Sequence, residues 1–523
     1  MLACMGLFCL WGIFLFAVWG VSGWSWSLSF LGFLLRDVSL DLLLEDVSLV
    51  CLSMLFFCGS VALFYCFHYM GGSGDSCSLF CLMVWFLLVM CGLVVSGSVI
   101  ISLVLWEYLG LVSFLLILFY SNSSSLRAAL ITLFASRFGD AALFLLVMWV
   151  SSWFGHFSYL VGGLVLLVVL TKSACYPFIS WLLEAMRAPT PVSSLVHSST
   201  LVAAGVWFFF RYSFLFGDGT LCLMFVLSVS TIVISGVCAL FFNDLKKLVA
   251  LSTCNNISWC VVFFICGDLD LALLQLLTHG VCKCYPFMSV GDLMSLSGGS
   301  QSSVAVYFSR YGGVLGVYLQ TILILSLCGL PFLGVFFSKH GLFGEIGYIF
   351  GWGYLCLVFL SFVLSYAYSI RLVLVLLSSV GGLSSGYSSG YVLISVLSVL
   401  GTVVNAVGSW GVLAETSGLG CFLSGSMLLL QLGGGYLGWL MFVSMGAGSP
   451  LGASCLAFSD SVVKGVIGVY LSCSDCSVIS FYRWELYLLS LRPRVVLQSS
   501  FFSFNALVFA VMVISFLVVL FGL

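Results

Sequence analysis

The chain has 523 residues, of which 63% are hydrophobic and only 7% are charged, and its formal net charge at pH 7 is −2. A mean hydropathy of +1.27 excludes a soluble protein with a polar surface. The slightly negative charge argues against a nucleic-acid partner. Strict alternation of polar and apolar residues, which a membrane barrel requires, is absent. The composition therefore predicts an all-α polytopic membrane protein.

Apolar runs of about 20 residues recur along the chain, and each is long enough to cross a hydrocarbon core about 30 Å thick. They predict about fifteen membrane spans, at residues 2–23, 47–70, 79–98, 101–120, 126–150, 158–187, 191–213, 219–242, 246–266, 269–294, 315–342, 346–378, 389–413, 419–446 and 500–523. The first run lacks a basic n-region and is longer than a signal-peptide core, so we expect a membrane helix there.

The spans group into six predicted regions. These are N-terminal membrane helices (1–78), a first five-helix half (79–213), a second five-helix half (214–380), additional membrane helices (381–450), an amphipathic lateral helix (451–499) and a C-terminal anchor (500–523). Each half contains one interrupted span at a matching position, which predicts two inverted repeats of a transporter fold. The lateral helix is predicted from dispersed charges in a less apolar stretch. A soluble domain is the alternative, although about 45 residues is short for one.

Residues 171–200 place Lys172, Glu184, Arg187 and His197 in an otherwise apolar stretch that also holds three of the seven prolines. An ionisable residue in hydrocarbon costs about 2.5–3.5 kcal/mol on the insertion scale, so its presence requires a reason. Proline interrupts a helix, and irregular backbone at membrane depth is tolerated only inside protein or beside a water-filled cavity. The stretch predicts a broken membrane helix with a buried lysine on an ion path.

A second interruption is predicted near Gly329 and Pro331, with Lys339 close to it. Lys283 also falls within an apolar span, and His279 lies four residues before it on the same predicted helix face. That spacing suits a proton relay, because imidazole titrates near neutral pH. Snorkelling from a helix end is the alternative for each lysine singly, but three lysines near the middle of their spans disfavour it. A zinc site at His279 is disfavoured because no further ligand is placed around it.

Glu107 is the only acid in a long apolar run. It is predicted to pair with Lys172, because an opposite charge at short range stabilises a buried ammonium group; a neutral, hydrogen-bonded carboxylic acid is the alternative. Arg137 and Asp140 are spaced one helical turn apart, either as a local ion pair or as further members of the path. Lys246, at the start of a predicted helix, is expected to anchor the membrane interface.

Six strings resemble one family when taken in order: WEYLGLVSFLL, SRFGD, TKSACYPFISWLLEAMRAPTPVSSLVHSST, NDLKKLVALST, THGVCKCYPF and GLPFLGVFFSKHGL. They are similar to the core of the chain 5 family of NADH:ubiquinone oxidoreductase (respiratory complex I), the distal antiporter-like subunit. The resemblance covers about residues 40 to 378, and the lateral helix and final span also fit. The Cys-, Val- and Phe-rich composition resembles a flatworm mitochondrial version.

The resemblance implies a proton-translocating, multi-pass chain of the mitochondrial inner membrane. It implies that this chain holds no redox cofactor and no metal, and that NADH, FMN, iron–sulfur clusters and ubiquinone bind to other subunits. The implied partners are the neighbouring antiporter-like membrane subunits and the lipid bilayer. By motif match, the proton path would run through Glu107, Asp140, Lys172, His197, His279, Lys283 and Lys339.

The chain departs from the family pattern at several points. Arg187 stands where the family has a glutamate, and Glu184 is expected to neutralise it. His340 replaces the acid that normally follows the last lysine. One N-terminal helix of the family's sixteen is missing from the predicted spans, and the lateral helix is short.

Two other functions compete with the complex I interpretation. A stand-alone cation/proton antiporter of the Mrp type shares the same core motifs, but the lateral helix and terminal anchor favour complex I. A structural membrane chain, whose charges only lock helices together, is the third hypothesis.

Overall fold

The computed structural model describes residues 24–28, 40–71, 75–151, 159–296, 301–302, 314–330, 334–336, 338–339, 342, 352–377, 421–444, 465, 468–469, 471–480 and 482–484. The chain divides into two units, residues 1–460 and residues 461–523. The predicted spans at 2–23, 389–413 and 500–523 lie outside the described residues.

Helices make up nearly all of the first unit's described residues. They are α1 (Asp46–Met70), α2 (Asp75–Val95), α3 (Val99–Ile117), α4 (Ser123–Ser151), α5 (Tyr159–Lys172), α6 (Ser180–Ala185), α7 (Thr190–Arg211), α8 (Asp218–Phe241), α9 (Leu245–Ile265), α10 (Leu269–Leu296), α11 (Val314–Cys328), α12 (Trp352–Leu377) and α13 (Cys421–Val443). Within the described part of the chain, nine helices are long and apolar enough to cross a membrane. The prediction of a helical, multi-pass membrane protein is confirmed, whereas the total of about fifteen spans stays a prediction.

Two short strands precede α1 and were not predicted. β1 (Trp24–Leu28) pairs antiparallel with β2 (Leu40–Leu44), with Trp24 opposite Leu44. The alternating sequence WSWSL is typical of a strand.

The interruption after α5 lies where the prolines predict it. α5 ends at Lys172, and the backbone of Ala174 adopts a left-handed conformation with φ of 53°. After α6, the chain resumes as α7 at Thr190, with Pro189 as the N-cap residue and Pro191 in the first turn, where a helix tolerates proline. Ser193–Thr200 within α7 is wound as a π-helix, a rare form that occurs frequently at functional sites.

The second interruption follows α11. Gly329 and Gly334 have φ values of 91° and 49°, in the left-handed region that glycine adopts without a steric penalty. The backbone is helical again at Lys339. The predicted break is therefore confirmed, although Pro331 lies outside the described residues.

The broken helix α7 lies at the centre of the bundle. The most apolar 18-residue windows of α7 and α9 are 100% and 89% buried, whereas that of α13 is only 17% buried. His197 on α7, Lys246 on α9, and His279 and Lys283 on α10 are buried by surrounding protein, as ionisable residues inside a membrane bundle require.

Two glycines allow α13 to pack closely on α12. A Cβ atom on Gly438 would lie 2.4 Å from the carbonyl oxygen of Ala367, and one on Gly434 would lie 2.7 Å from that of Val363. Their four-residue spacing is the small-xxx-small pattern that lets membrane helices approach each other.

The second unit is described only in part. Residues 471–480 are helical, and most of their side chains are exposed. A helix is therefore present inside the predicted lateral segment, and its orientation along the membrane stays a prediction.

Candidate functional site

Four charged side chains from α3, α4 and α5 form one network. Lys172 and Asp140 have side chains only 1% and 2% exposed, and Lys172 Nζ lies 3.4 Å from Asp140 Oδ1. Arg137 forms an ion pair with Glu107, and Arg137 Nη1 lies 3.6 Å from Asp140 Oδ2. Asp140 thus lies between two cations.

The predicted direct pair between Glu107 and Lys172 is wrong. Among the described residues Lys172 has an ion pair with Asp140 alone, and Glu107 has one with Arg137 alone. The reason is helix geometry: the buried face of α4 brings Asp140 to the end of α5, whereas Glu107 and Arg137 meet at a more exposed place, with side chains 24% and 41% exposed. The hypothesis of a purely local Arg137–Asp140 pair is also too narrow, since each residue has a partner on another helix.

Trp106 completes this network and was missed by the sequence analysis. Its indole Nε1 donates a hydrogen bond of 2.9 Å to Asp140 Oδ1. Lys172 Nζ lies 5.1 Å from the centroid of the Trp106 ring, a cation–π distance. The only available signal was its position beside Glu107.

A small cavity lies between Lys172 and His197. Its volume is about 20 Å³, and one water molecule needs roughly 10–15 Å³ by this measure. Its walls are Ser113, Ile117, Thr132, Ser136, Thr171, Lys172, Trp181, His197 and Leu201. Neither the Lys172 ammonium nor either ring nitrogen of His197 has a hydrogen-bond partner among the described residues. Both groups therefore have hydrogen-bonding capacity for a water molecule in this cavity.

His279 connects α10 to the π-helical part of α7. Its Nε2 lies 2.9 Å from the carbonyl oxygen of Ser198, the residue after His197. One turn further along α10, Lys283 donates a hydrogen bond to the hydroxyl of Ser252 on α9. Both side chains are buried, so the predicted i, i+4 pair lies in the protein interior.

A second cavity of about 20 Å³ separates Lys283 from the end of α11. It is lined by Val249, Ser252, Asn256, Lys283, Pro286, Ile324, Leu327, Cys328, Tyr368, Ser369 and Leu372. Lys339 Nζ donates a 2.7 Å hydrogen bond to the carbonyl oxygen of Cys328, and the hydroxyl of Tyr366 donates one of 2.6 Å to that of Gly329. Lys339 therefore donates a hydrogen bond to the carbonyl end of α11, where the helix is interrupted at Gly329.

Glu184 and Arg187 form an ion pair of 3.2 Å, with side chains 29% and 41% exposed. The expected neutralisation of Arg187 is confirmed. His340 lies outside the described residues.

Lys246 does not anchor the interface as predicted. It is buried, and its Nζ donates a 3.1 Å hydrogen bond to the carbonyl oxygen of Ala188, just before Pro189. Lys247, the next residue, has the more exposed position and forms a 3.3 Å ion pair with Asp244. Two adjacent lysines at a helix start carry no sequence signal that distinguishes the buried one.

Within the described ranges, no three or more His, Cys, Asp or Glu side chains are grouped closely enough to hold a metal ion. The described site is a charged network at Lys172 followed by buried ionisable groups with hydroxyl groups and small cavities between them, which suits proton transfer.

Comparison with known proteins places the chain in a family. The family model described as "NADH:quinone oxidoreductase/Mrp antiporter, TM" matches residues 96–367. NADH-ubiquinone oxidoreductase chain 5 of Anopheles quadrimaculatus is 32% identical over 454 residues, which are 83% of this chain and 74% of that protein. The chain 5 protein of Aedes aegypti is 33% identical over 430 residues, 78% of this chain and 69% of that protein.

Two solved structures share the fold. The Mrp complex from a Dietzia species matches with a TM-score of 0.73 and 23% identity, over 92% of this chain and 58% of the matched chain. An archaeal membrane-bound sulfane sulfur reductase matches with a TM-score of 0.66 and 15% identity, over 84% of this chain and 92% of the matched chain. The curated relatives, together with the family model, establish that the chain belongs to the NADH-ubiquinone oxidoreductase chain 5 family.

Proposed function

We propose that the chain is a proton-translocating membrane subunit of a respiratory NADH:ubiquinone oxidoreductase. The observation that carries this proposal is the row of buried ionisable side chains from Lys172 to Lys339, with a water-sized cavity near each end. Buried ionisable residues inside a membrane bundle mark ion paths and proton relays. Membership of the chain 5 family supports the same function.

Asp140 is the switching group in this scheme. At 3.4 Å and an effective dielectric constant of about 20, its attraction for the Lys172 ammonium is about 5 kcal/mol. Moving one charge against 100 mV costs about 2.3 kcal/mol. In the proposal, breaking this pair is the step that frees a proton for transfer, and electron transfer in other subunits supplies the energy for it. A shift of Asp140 towards Arg137, which is already 3.6 Å away, would break the pair.

The remaining groups pass the released proton onward. His197 receives it across the first cavity, because its imidazole can accept a proton on one nitrogen and release one from the other. His279 is the next titratable group before Lys283 in the proposal, and the carbonyl oxygen of Ser198 holds its ring in place rather than relaying the proton. The second cavity then leads to the end of α11, where Lys339 stands near the exit.

The proposed setting is the mitochondrial inner membrane, beside the neighbouring antiporter-like subunits. This chain holds no redox cofactor in the proposal. NADH, FMN, iron–sulfur clusters and ubiquinone bind to other subunits, whose electron transfer drives the pump.

The test is Lys172→Met and Lys283→Met in the intact complex, with Lys247→Met as the matched control. We expect both buried-lysine variants to assemble normally, reduce quinone slowly and pump few or no protons per electron, and Lys247→Met to behave as wild type. Failed assembly without a specific pumping defect would support the structural-chain hypothesis instead.

The second candidate is an Mrp-type cation/proton antiporter, which the fold similarity to the Dietzia Mrp complex favours. Purification of the chain with its neighbours separates the two functions. Flavin and iron–sulfur subunits in the purified complex support the respiratory function, whereas their absence together with cation-dependent proton exchange supports the antiporter.

A further inference from the structure

A titratable pair lies where α1 and α10 end together. His68 in the last turn of α1 and Asp292 near the end of α10 form an ion pair, with 3.4 Å between His68 Nε2 and Asp292 Oδ1. Their side chains are 39% and 24% exposed, so both reach the surface of the bundle. Neither belongs to the row of groups from Lys172 to Lys339.

Tyr65, one turn before His68, connects this pair to the interior. Its side chain is fully buried, and the single proton of its hydroxyl is shared between two acceptors, the carbonyl oxygen of Met288 at 2.9 Å and Asp292 Oδ1 at 3.2 Å. A phenol hydroxyl both donates and accepts hydrogen bonds. It can therefore take a proton from one side and release one to the other.

Gly291 brings Tyr65 against the start of α7. A Cβ atom on Gly291 would lie 2.6 Å from the Tyr65 hydroxyl and 2.8 Å from Thr190 Oγ1. The hydroxyls of Tyr65 and Thr190 therefore both lie next to Gly291, close enough to each other for direct contact or for a single bridging water. Thr190 is fully buried, and its hydroxyl has no hydrogen-bond partner among the described residues.

Hydroxyl groups continue from Thr190 along α7. Ser193 and Ser194 follow at intervals of three and four residues, and His197 comes after them; all are fully buried. The hydroxyl of Ser193 donates to the carbonyl oxygen of Thr190 at 3.1 Å. The hydroxyl of Ser194 donates to the carbonyl oxygen of Pro191 at 2.8 Å. The helix therefore places hydroxyls between the Tyr65 contact and His197, although neither ring nitrogen of His197 is hydrogen-bonded to one of them among the described residues.

We propose that His68 and Asp292 form a proton entrance that feeds His197 through Tyr65, Thr190 and the serines of α7. The inference rests on the proposed proton translocation and adds a branch that enters between Lys172 and Lys283.

Each transfer in this branch conserves protons. The surface pair takes a proton from water, and Asp292, once protonated, gives it to the Tyr65 oxygen while the Tyr65 hydroxyl proton turns towards Thr190. The hydroxyls of Thr190, Ser193 and Ser194 then each accept one proton and release another as they rotate away from the α7 carbonyls, and His197 accepts the last. Other titratable groups near this end, within the described residues, include Tyr69, whose ring centroid lies 5.9 Å from that of Tyr65, Tyr120, which contacts Tyr69, and the buried Lys246. Both Tyr65 and His68 precede residue 96, so they lie outside the part that the family model matches.

The experiment uses the intact complex in sealed vesicles and measures protons pumped per electron. Tyr65→Phe keeps the ring and removes the hydroxyl, and Asp292→Asn removes the proton-binding group. Because the route from Lys172 stays intact in both variants, each is expected to pump at a partial rate, below the wild type and above Lys172→Met. Tyr69→Phe is the matched control and should pump as wild type, while Asp292→Glu should recover most of the lost rate.

Wild-type pumping by Tyr65→Phe or by Asp292→Asn would refute the proposal that His68 and Asp292 form a proton entrance. Lys283→Met is measured beside these variants. If Lys283→Met still pumps, the proposed function itself fails. If Lys283→Met stops pumping while Tyr65→Phe and Asp292→Asn pump as wild type, only the branch is refuted. Should Tyr65→Phe not assemble, His68→Gln at the surface replaces it. The pumping rate of that variant should no longer vary with external pH between about pH 5 and 8, where histidine titrates; an unchanged pH profile would also refute the entrance.

Discussion

Replacing Asp140 by asparagine removes the carboxylate that pairs with Lys172 while keeping the size of the side chain. The oxygen that accepts the hydrogen bond from Trp106 is also kept. The lost attraction is about 5 kcal/mol at 3.4 Å and an effective dielectric constant of about 20. Breaking a buried ion pair by removing one partner costs about 3–5 kcal/mol in measured cases, which agrees with that value.

An energy of this size changes an equilibrium constant by roughly 10³-fold, since 1.36 kcal/mol corresponds to a factor of ten. We therefore expect Asp140→Asn to abolish proton pumping, because the buried ion pair whose opening drives the proposed transfer no longer forms. The assay is acidification by the complex in sealed vesicles, normalised to quinone reduced and to the amount of assembled complex.

Glu107→Gln is the comparison that makes this test specific. Glu107 contacts Lys172 only through Arg137 and Asp140, and its pair with Arg137 is partly exposed. Exposed pairs contribute about 0–1 kcal/mol, so Glu107→Gln should retain more pumping than Asp140→Asn. The reverse order of severity would refute the assignment of Asp140 as the partner of Lys172.

Three further substitutions test other parts of the structure. Lys246→Met leaves the buried carbonyl oxygen of Ala188 without its hydrogen-bond donor, so we expect the free energy of unfolding to fall by about 1–3 kcal/mol. The measurement is the melting temperature of the complex, which should be lower in Lys246→Met and unchanged in Lys247→Met. Gly438→Val places a side chain against the backbone of α12 and should separate α13 from it, which crosslinking between the two helices would detect. Glu184→Gln leaves an uncompensated arginine beside the broken helix and should reduce pumping; unchanged activity would mean that neutralisation is unimportant there.

Sequence reasoning predicted the helices closely. The predicted span 269–294 is α10 (Leu269–Leu296), and the predicted span 246–266 is α9 (Leu245–Ile265). Both breaks also fall where proline and glycine predict them. The length and hydropathy of a span, and the backbone restrictions of proline and glycine, are local properties, so they can be predicted from a single sequence.

The partners of the charged residues could not be predicted in the same way. Choosing Asp140 rather than Glu107 for Lys172 depends on which face of α4 meets the end of α5, and that is a property of helix packing. The burial of Lys246 likewise depends on the path of the chain before Pro189. The strands β1 and β2 were missed because the strand-like alternation there is short and lies beside an apolar run.

The hydrogen bond from Lys246 to Ala188 also has a mechanical consequence. Ala188 belongs to the first predicted half and Lys246 to the second, so this bond fastens the two halves at the irregular backbone before α7. If that backbone moved when the Lys172–Asp140 ion pair opened, the start of α9 would move with it, because the hydrogen bond connects them. Movement in one predicted half would therefore be transmitted to the other through the hydrogen bond of the Lys246 ammonium group.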